Sequence, residues 1–426
     1  MTQADRDSLE GNEEQVVATW IASLRERREV AGFTQAELAR RAGVSEGTIK
    51  RIESGKEVSR DTLLRLVGVP ELRLHEMVPP GPLGVEEAEP SFLPNCWIAP
   101  GFNALDLTQE MIRELNGQGG HIDQTHLYLD PISATGWHDF ATDEAYLPGR
   151  VAMPLEPAAG AILDSIHGAG LDVIALGPGD GRDEVRMVVH LLDDPRHRDL
   201  RLFLLDISQP LLSAALEYAT DALADREWVS VTAIQGNFHH LPRYRHLLHG
   251  PRRSHRRRLV TMLGGTFTNL LNESLFIRSS LGGFGPGDLV LFNAAPICAP
   301  ADRPDEIRQN DRLLSSVETQ RSSRILGALH TWMSGPLRRY VRGMKGVSVT
   351  TDLDLSSCPV PGSYAVVHRA MVTLESGETR AFSALYMKRY DEEKLVEYFG
   401  REGWDSVARW HYGTGRPSVL YLFRKR

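Results

Sequence analysis

The chain has 426 residues, 42% apolar and 24% charged, the composition of a soluble globular protein. At about 100–200 residues per domain it holds several domains, each able to bury a core. No apolar run approaches the about 18 residues of a membrane helix, and Met1–Glu14 is polar and acidic, unlike a secretory signal. A formal net charge of −8 argues against a general polyanion-binding surface. Cys96, Cys298 and Cys358 lie far apart, so neither a disulfide framework nor a metal site is expected, and a reducing, cytoplasmic setting fits.

Residues 1–78 read as a small all-helical unit. Val16, Val17, Trp20, Ile21 and Leu24 give Gln15–Val30 an apolar helical face. Thr34 with Glu37 is a capping box for a short helix, Gln35–Arg41. Ser45 caps a second, Glu46–Glu53, and Ser59 a further one, Arg60–Val67. Two short helices joined by Ala42-Gly43-Val44-Ser45 form a helix-turn-helix. The stretch from Thr34 through Ser45, Ile49, Arg51 and Gly55 resembles Xre/Cro-type DNA-binding domains. That resemblance implies base contacts from Ser45, Glu46, Thr48 and Lys50, and phosphate contacts from Gln35, Arg51 and Lys56. Lys50 and Arg51 face Glu46 and Glu53 on a nearly neutral recognition helix, so any DNA binding is expected to be weak. A protein-interaction or homodimerisation module is the other reading.

Residues 79–92, rich in proline and acids, read as a linker. Beyond it, apolar strands alternate with helices: Leu171–Leu176, Leu200–Asp206, Val229–Ile234, Leu259–Leu263 and Asp288–Asn293, with Asp183–Leu192 and Gln209–Leu223 between. Continuous apolar strands linked by helices predict a parallel sheet covered on both faces. A long helical region, Asp302–Met333, precedes Gly346–Leu353 and a hairpin of Tyr364–Leu374 with Thr379–Tyr390. Helix Asp391–Glu402 and two antiparallel edge strands, Trp404–Tyr412 and Ser418–Lys425, complete the pattern. His239–Arg258, rich in histidine and arginine, lacks any ligand spacing and reads as a solvated loop. His368, Asp352 and Asp354 could supply a general base, but no spacing favours them.

The first strand runs into Gly177-Pro178-Gly179-Asp180-Gly181, and the second ends at Asp206, placed to accept hydrogen bonds from both ribose hydroxyls of a nucleoside. Asp183 stands where a dinucleotide fold has a third glycine or alanine, and an acidic helix start disfavours a pyrophosphate. A nucleoside without phosphates suits the turn better. Together with the closing antiparallel pair, these features resemble class I methyltransferases. The resemblance implies S-adenosylmethionine as cofactor and an α/β fold: a Rossmann-like seven-stranded sheet with a C-terminal antiparallel hairpin, a smaller α+β substrate domain, and the N-terminal all-α unit. The expected division is 93–150 and 301–390 for the substrate domain, 151–300 for the donor-binding core, and 391–426 for the closing helix and hairpin.

Gly264-Gly265-Thr266-Phe267-Thr268-Asn269-Leu270 and Glu144-Ala145-Tyr146-Leu147-Pro148-Gly149-Arg150 are similar to signatures of the histidine-specific Nα-methyltransferases. By that resemblance Gly177, Gly179, Asp180, Gly181, Asp206, Ile207, Asn237, Phe238 and Gly264 bind the donor. Asn269, Tyr146 and Thr266 hold an amino-acid substrate. The family's Glu-x-Ser-x-Lys strand, which reads the imidazole, aligns with Ala384-Leu385-Tyr386-Met387-Lys388, and its Asp-Leu-x-Lys with Ala294-Ala295-Pro296-Ile297. Loss of that acid removes a charged hydrogen bond of about 1.5–3 kcal/mol. The expected substrate is therefore an amine or amino-acid-like molecule other than free histidine, read around Tyr386. The resemblance names no catalytic residue, and methyl transfer requires no catalytic dyad. The alternative is an Xre-type transcription regulator whose methyltransferase-like domain senses a metabolite.

Overall fold

The computed structural model describes residues 24–26, 28–29, 33–54, 62, 66, 69, 96–99, 101–117, 120–144, 146–194, 199–226, 228–244, 248, 256–311, 314, 323–413 and 417–426, with the side chains of 323–326 left aside. Most of the expected helices Gln15–Val30 and Arg60–Val67, the 79–92 linker, Lys56, and residues 245–247 and 249–255 of the basic stretch lie outside the described residues. The chain divides into two compact units, Met1–Ser91 and Phe92–Arg426. No helix among the described residues is long and apolar enough to cross a membrane.

In the first unit, helices Gln35–Ala42 and Glu46–Glu53 carry the caps the sequence predicts. Thr34 and Glu37 form the reciprocal capping box, and Gly43 turns the chain at φ 63°. Leu38, Ala39, Ala42, Ile49 and Ile52 share a core with Leu24, Leu66 and Val69. Arg28 closes it by pairing with Glu53 at 2.6 Å.

The second unit is built on a twelve-stranded sheet. Its strands are β1 (Cys96–Ile98), β2 (Gly120–His121), β3 (Leu171–Leu176), β4 (Leu200–Asp206), β5 (Val229–Gln235), β6 (Arg257–Met262), β7 (Leu289–Pro296), β8 (Met344–Asp354), β9 (Tyr364–Leu374), β10 (Thr379–Tyr390), β11 (Trp404–Tyr412) and β12 (Ser418–Lys425). Order β5-β4-β3-β6-β7 is parallel, and β12 then β11 continue it antiparallel. β3 is buried at every position, as a strand covered on both faces must be. Helices Arg182–Asp193 and Gln209–Ala222 are the crossovers. β12 lies between β7 and β11, so only β11 is the edge of that closing pair.

β10, β9 and β8 form an antiparallel extension, and β10 joins β7 through Arg389 opposite Ala295 and Tyr390 opposite Pro296. The 301–390 stretch thus extends the core sheet. The expected long helix is instead Pro304–Asn310 and Ser323–Tyr340, with 315–322 outside the described residues. β6 starts two residues before the expected strand. There Arg256 pairs with Asp172 at 2.6 Å, and Arg258 pairs with Asp288. These arginines tie strand ends together and belong to no solvated loop.

Candidate active site

A cavity of about 410 Å³ opens where β3 to β7 end, and residues following each of these strands line it. Strand order reverses between β3 and β6, the crevice where open α/β sheets take ligands.

At one end the wall is the glycine turn. Gly177 and Gly179 line it at φ 62° and 59°, where only glycine is unstrained. A Cβ on Gly179 would come within 2.1 Å of the Trp137 ring, so this aromatic wall rests directly on the turn. Gly181 stands off the cavity, N-capping helix Arg182–Asp193 against Ala215. Asp206, 5% exposed, lines the cavity, and its Oδ1 accepts from the Ser208 N–H at 2.8 Å. Burial pushes its carboxyl up to about 6, against the pull of nearby backbone N–H groups. Ile207, Phe238 and Gly264 are also on the wall. Asn237, expected at the adenine, is not. Its Oδ1 accepts from His239 N and its carbonyl from Tyr244 Oη, each at 3.0 Å, which fixes the turn presenting Phe238 and His239. His239, expected in a solvated loop, lines the cavity.

Asp180 is off the wall, and the acidic helix start is balanced. Arg150 reaches Asp180 at 2.7 Å and Asp183 at 2.9 Å, all three buried. Burial pushes Asp180 up, but Arg150 outweighs it and holds the carboxyl below its ordinary value. Asp183 stays above its ordinary value because burial outweighs Arg150 and Arg186. Sequence spacing showed the acids but not the guanidinium that meets them from 33 residues away.

Beside the glycine turn, where Thr266 donates to the Gly177 carbonyl at 3.4 Å, Tyr146 lines the cavity and donates to the Gly264 carbonyl at 3.3 Å. Thr266 donates to the Leu263 carbonyl at 3.0 Å. Asn269 is half-buried on the wall, and Thr268 donates to its Oδ1 at 3.4 Å. Asn272, not Asn269, caps the following helix. A fully buried group holds this loop: Lys388 donates to the Leu270 carbonyl at 2.6 Å, the Leu271 carbonyl at 3.2 Å and Glu273 at 2.5 Å. Tyr390 donates to the same Glu273 at 2.5 Å.

The antiparallel extension supplies the last wall. Thr351, His368 and Leu385 are register partners across β8, β9 and β10, and all three line the cavity. Met387 and Arg389 follow along β10. Tyr386 is not on the wall; its ring lies 5.5 Å from His121. A bulge between Ser383 and Leu385 breaks the register there. The cavity-facing frame is therefore Leu385, Met387, Arg389, one residue later than the sequence alignment placed it. Leu385 and Met387 offer neither acid nor hydroxyl, whereas the expected frame included the Tyr386 hydroxyl. Arg389 pairs with Asp311 at 3.0 Å. His368 shares a 2.9 Å hydrogen bond with Thr351, and burial plus Arg389 push it down to about 4. Asp352 and Asp354 are not on the wall; the first pairs with Arg369 at 3.5 Å and the second accepts from Ser356 and Ser357. Tyr128, Phe140, Leu329 and Trp332 complete an aromatic and aliphatic lining that no motif announced.

In the helix-turn-helix unit, the described DNA-contact candidates are engaged as follows. Gln35 donates to Glu53 at 2.7 Å, Ser45 and Thr48 bond each other at 2.8 Å, Lys50 pairs with Glu46 at 2.7 Å, and Arg51 is exposed.

A family model for helix-turn-helix domains matches residues 22–71, and one for histidine-specific, SAM-dependent methyltransferases matches residues 107–292. No curated protein matches the chain. Similar solved structures include magnesium protoporphyrin IX methyltransferase (ChlM) from Synechocystis PCC 6803 with bound SAH. It is 12% identical, with 70% of this chain and 97% of that chain covered and a TM-score of 0.38. Another is SAM-bound CalS10, an amino pentose methyltransferase from Micromonospora echinaspora, 15% identical, with 66% and 96% covered and a TM-score of 0.32.

Proposed function

We propose that this chain, an S-adenosylmethionine-dependent methyltransferase whose residues 107–292 belong to the histidine-specific family and which also carries a helix-turn-helix domain, methylates an amine or amino-acid-like substrate other than free histidine. The observation that carries the reading is the pair of apolar residues Leu385 and Met387 on the cavity wall. They give a polar ring no hydrogen-bond partner, and the polar groups beside them are engaged, His368 with Thr351 and Arg389 with Asp311. An uncharged, partly apolar side chain needs none.

The residues present fit the donor. Gly177 and Gly179 leave the main chain open, Asp206 offers a buried carboxylate to ribose hydroxyls, and Ile207 and Phe238 offer apolar surface to a base. Bound there, the donor supplies an electrophilic methyl group. The chain's own part is to align the acceptor and exclude water. Asn269 can bond the amino or carboxylate end of the substrate, and Tyr146 and Thr266 flank it. His368 ionises near 4, so at neutral pH it is an uncharged wall residue and too weak a base to take a proton from an ammonium group. Titration with donor and with S-adenosylhomocysteine, then a methylation screen of amines and amino acids, tests the reading. Efficient trimethylation of free histidine would defeat it.

The helix-turn-helix domain is a weak DNA binder in this reading, because Lys50 and Gln35 are already paired with glutamates. Gel shifts with genomic fragments test it; a specific nanomolar site would promote the regulator reading.

A further inference from the structure

Glu184 is the least satisfied group on the cavity wall. It is 1% exposed, and neither carboxyl oxygen has a hydrogen-bond partner. It sits in the first turn of the helix that follows the glycine turn, and it lines the cavity. The nearest cation cannot serve it: Arg150 is committed to Asp180, Asp183 and the Ala141 carbonyl. A buried carboxyl without a partner costs about 1–3 kcal/mol, more if charged. Burial, with Asp183 adding to it, holds Glu184 well above the ordinary carboxyl range. Asp180, Asp183 and Arg150 are the charged groups acting on it, and Arg150 is already shared between the two acids. A cationic hydrogen-bond donor arriving from the cavity would satisfy the carboxyl; an anion would not.

We propose that Glu184 is the ligand for the primary ammonium group at the amino-acid end of the methyl donor. The proposal rests on the donor lying against the glycine turn. The donor carries both a base-and-ribose end, which Asp206, Ile207 and Phe238 suit, and a zwitterionic end with one ammonium group. Glu184 meets that second end. On binding, the group is held as a carboxylate that accepts hydrogen bonds from the ammonium group, and any proton it carried goes to solvent. Charge balances within the pair, and no bond other than O–H is broken.

The test uses two ligands that differ in this end: S-adenosylhomocysteine, which has the ammonium group, and 5′-methylthioadenosine, which lacks the amino-acid end. Calorimetry on the full chain compares wild type with Glu184→Gln. The expected result is a ten- to hundredfold loss for S-adenosylhomocysteine, the worth of one charged hydrogen bond, with 5′-methylthioadenosine unchanged within about twofold. Equal affinity of both proteins for S-adenosylhomocysteine overturns the proposal and leaves the donor site standing. Equal loss for both ligands makes Glu184 structural and also overturns it. If wild type binds neither ligand, the donor reading itself fails and takes the proposal with it. Because the variant removes an unpartnered acid, its melting temperature should not fall. Should Glu184→Gln misfold, Glu184→Met serves in the same comparison with the same expected outcomes.

Discussion

Two parts of the cavity wall rest on different kinds of sheet. The glycine-turn part is made by residues just past parallel strands, where each strand stops and the chain turns. The Leu385–Met387 part is made by the face of antiparallel strands, where identity depends on which way each side chain points. The first kind of position follows from strand order and strand length. The second follows from register, and a one-residue slip reverses every side chain. The bulge between Ser383 and Leu385 is such a slip. Past it, Leu385 and Met387 line the cavity and Tyr386 does not.

The comparison breaks first, if it breaks, at Asp206. Replacing it with alanine removes two charge-assisted ribose bonds, each about 1.5–3 kcal/mol. S-adenosylhomocysteine affinity should fall at least about a hundredfold by calorimetry. Asn269→Ala, on the loop after β6, should abolish turnover in the methylation assay and leave that affinity within about threefold, as for sites that share no partner. A donor-affinity loss in both variants would mean the two positions are not separate.

Lys388→Met tests how the Asn269 loop is held. It strands the fully buried Glu273, which should cost about 3–5 kcal/mol of stability in chemical denaturation. Lys388→Met with Glu273→Leu should recover much of it, because two apolar groups leave no buried charge unpaired.

A smaller and reversible test uses pH. Asp206 ionises near 6, and the ribose bonds need the carboxylate. Affinity for 5′-methylthioadenosine, which lacks the amino-acid end, should therefore fall about tenfold per pH unit below that value and be flat above it. The free protein should show the opposite sign. Its folded state holds the proton more tightly than the unfolded chain, so this group adds stability as pH falls from about 6 towards 4 and withdraws it as pH rises. A pH-independent affinity between 5 and 7 would remove Asp206 from the ribose.

Smallest of all is Tyr386→Phe. With its side chain off the wall, turnover and substrate preference should be unchanged, and stability within about 0.5 kcal/mol. Met387→Glu, on the wall one residue later, should change which amines are methylated. If Tyr386→Phe alters preference and Met387→Glu does not, the strand faces the other way.

Much of this protein was legible before any coordinates. β3, β4, β9, β10, β11 and β12 match their expected bounds because apolar runs, turn residues and strand length all agree there. Gly177, Gly179 and Asp206 were legible for the same reason: a glycine turn or an acid closing a strand is a local event. Thr34 and Ser45 were readable as caps, since a cap needs only its own next three residues. What tertiary structure decided is contact between distant segments. It brought Arg150 to Asp180 and Asp183, so an acidic helix start became a neutralised one. It paired Lys388 with Glu273 beneath the Asn269 loop, and laid Trp137 on Gly179. It also set the cavity face of β10, because a bulge costs little locally and leaves no mark in composition, yet it turns the rest of the strand over.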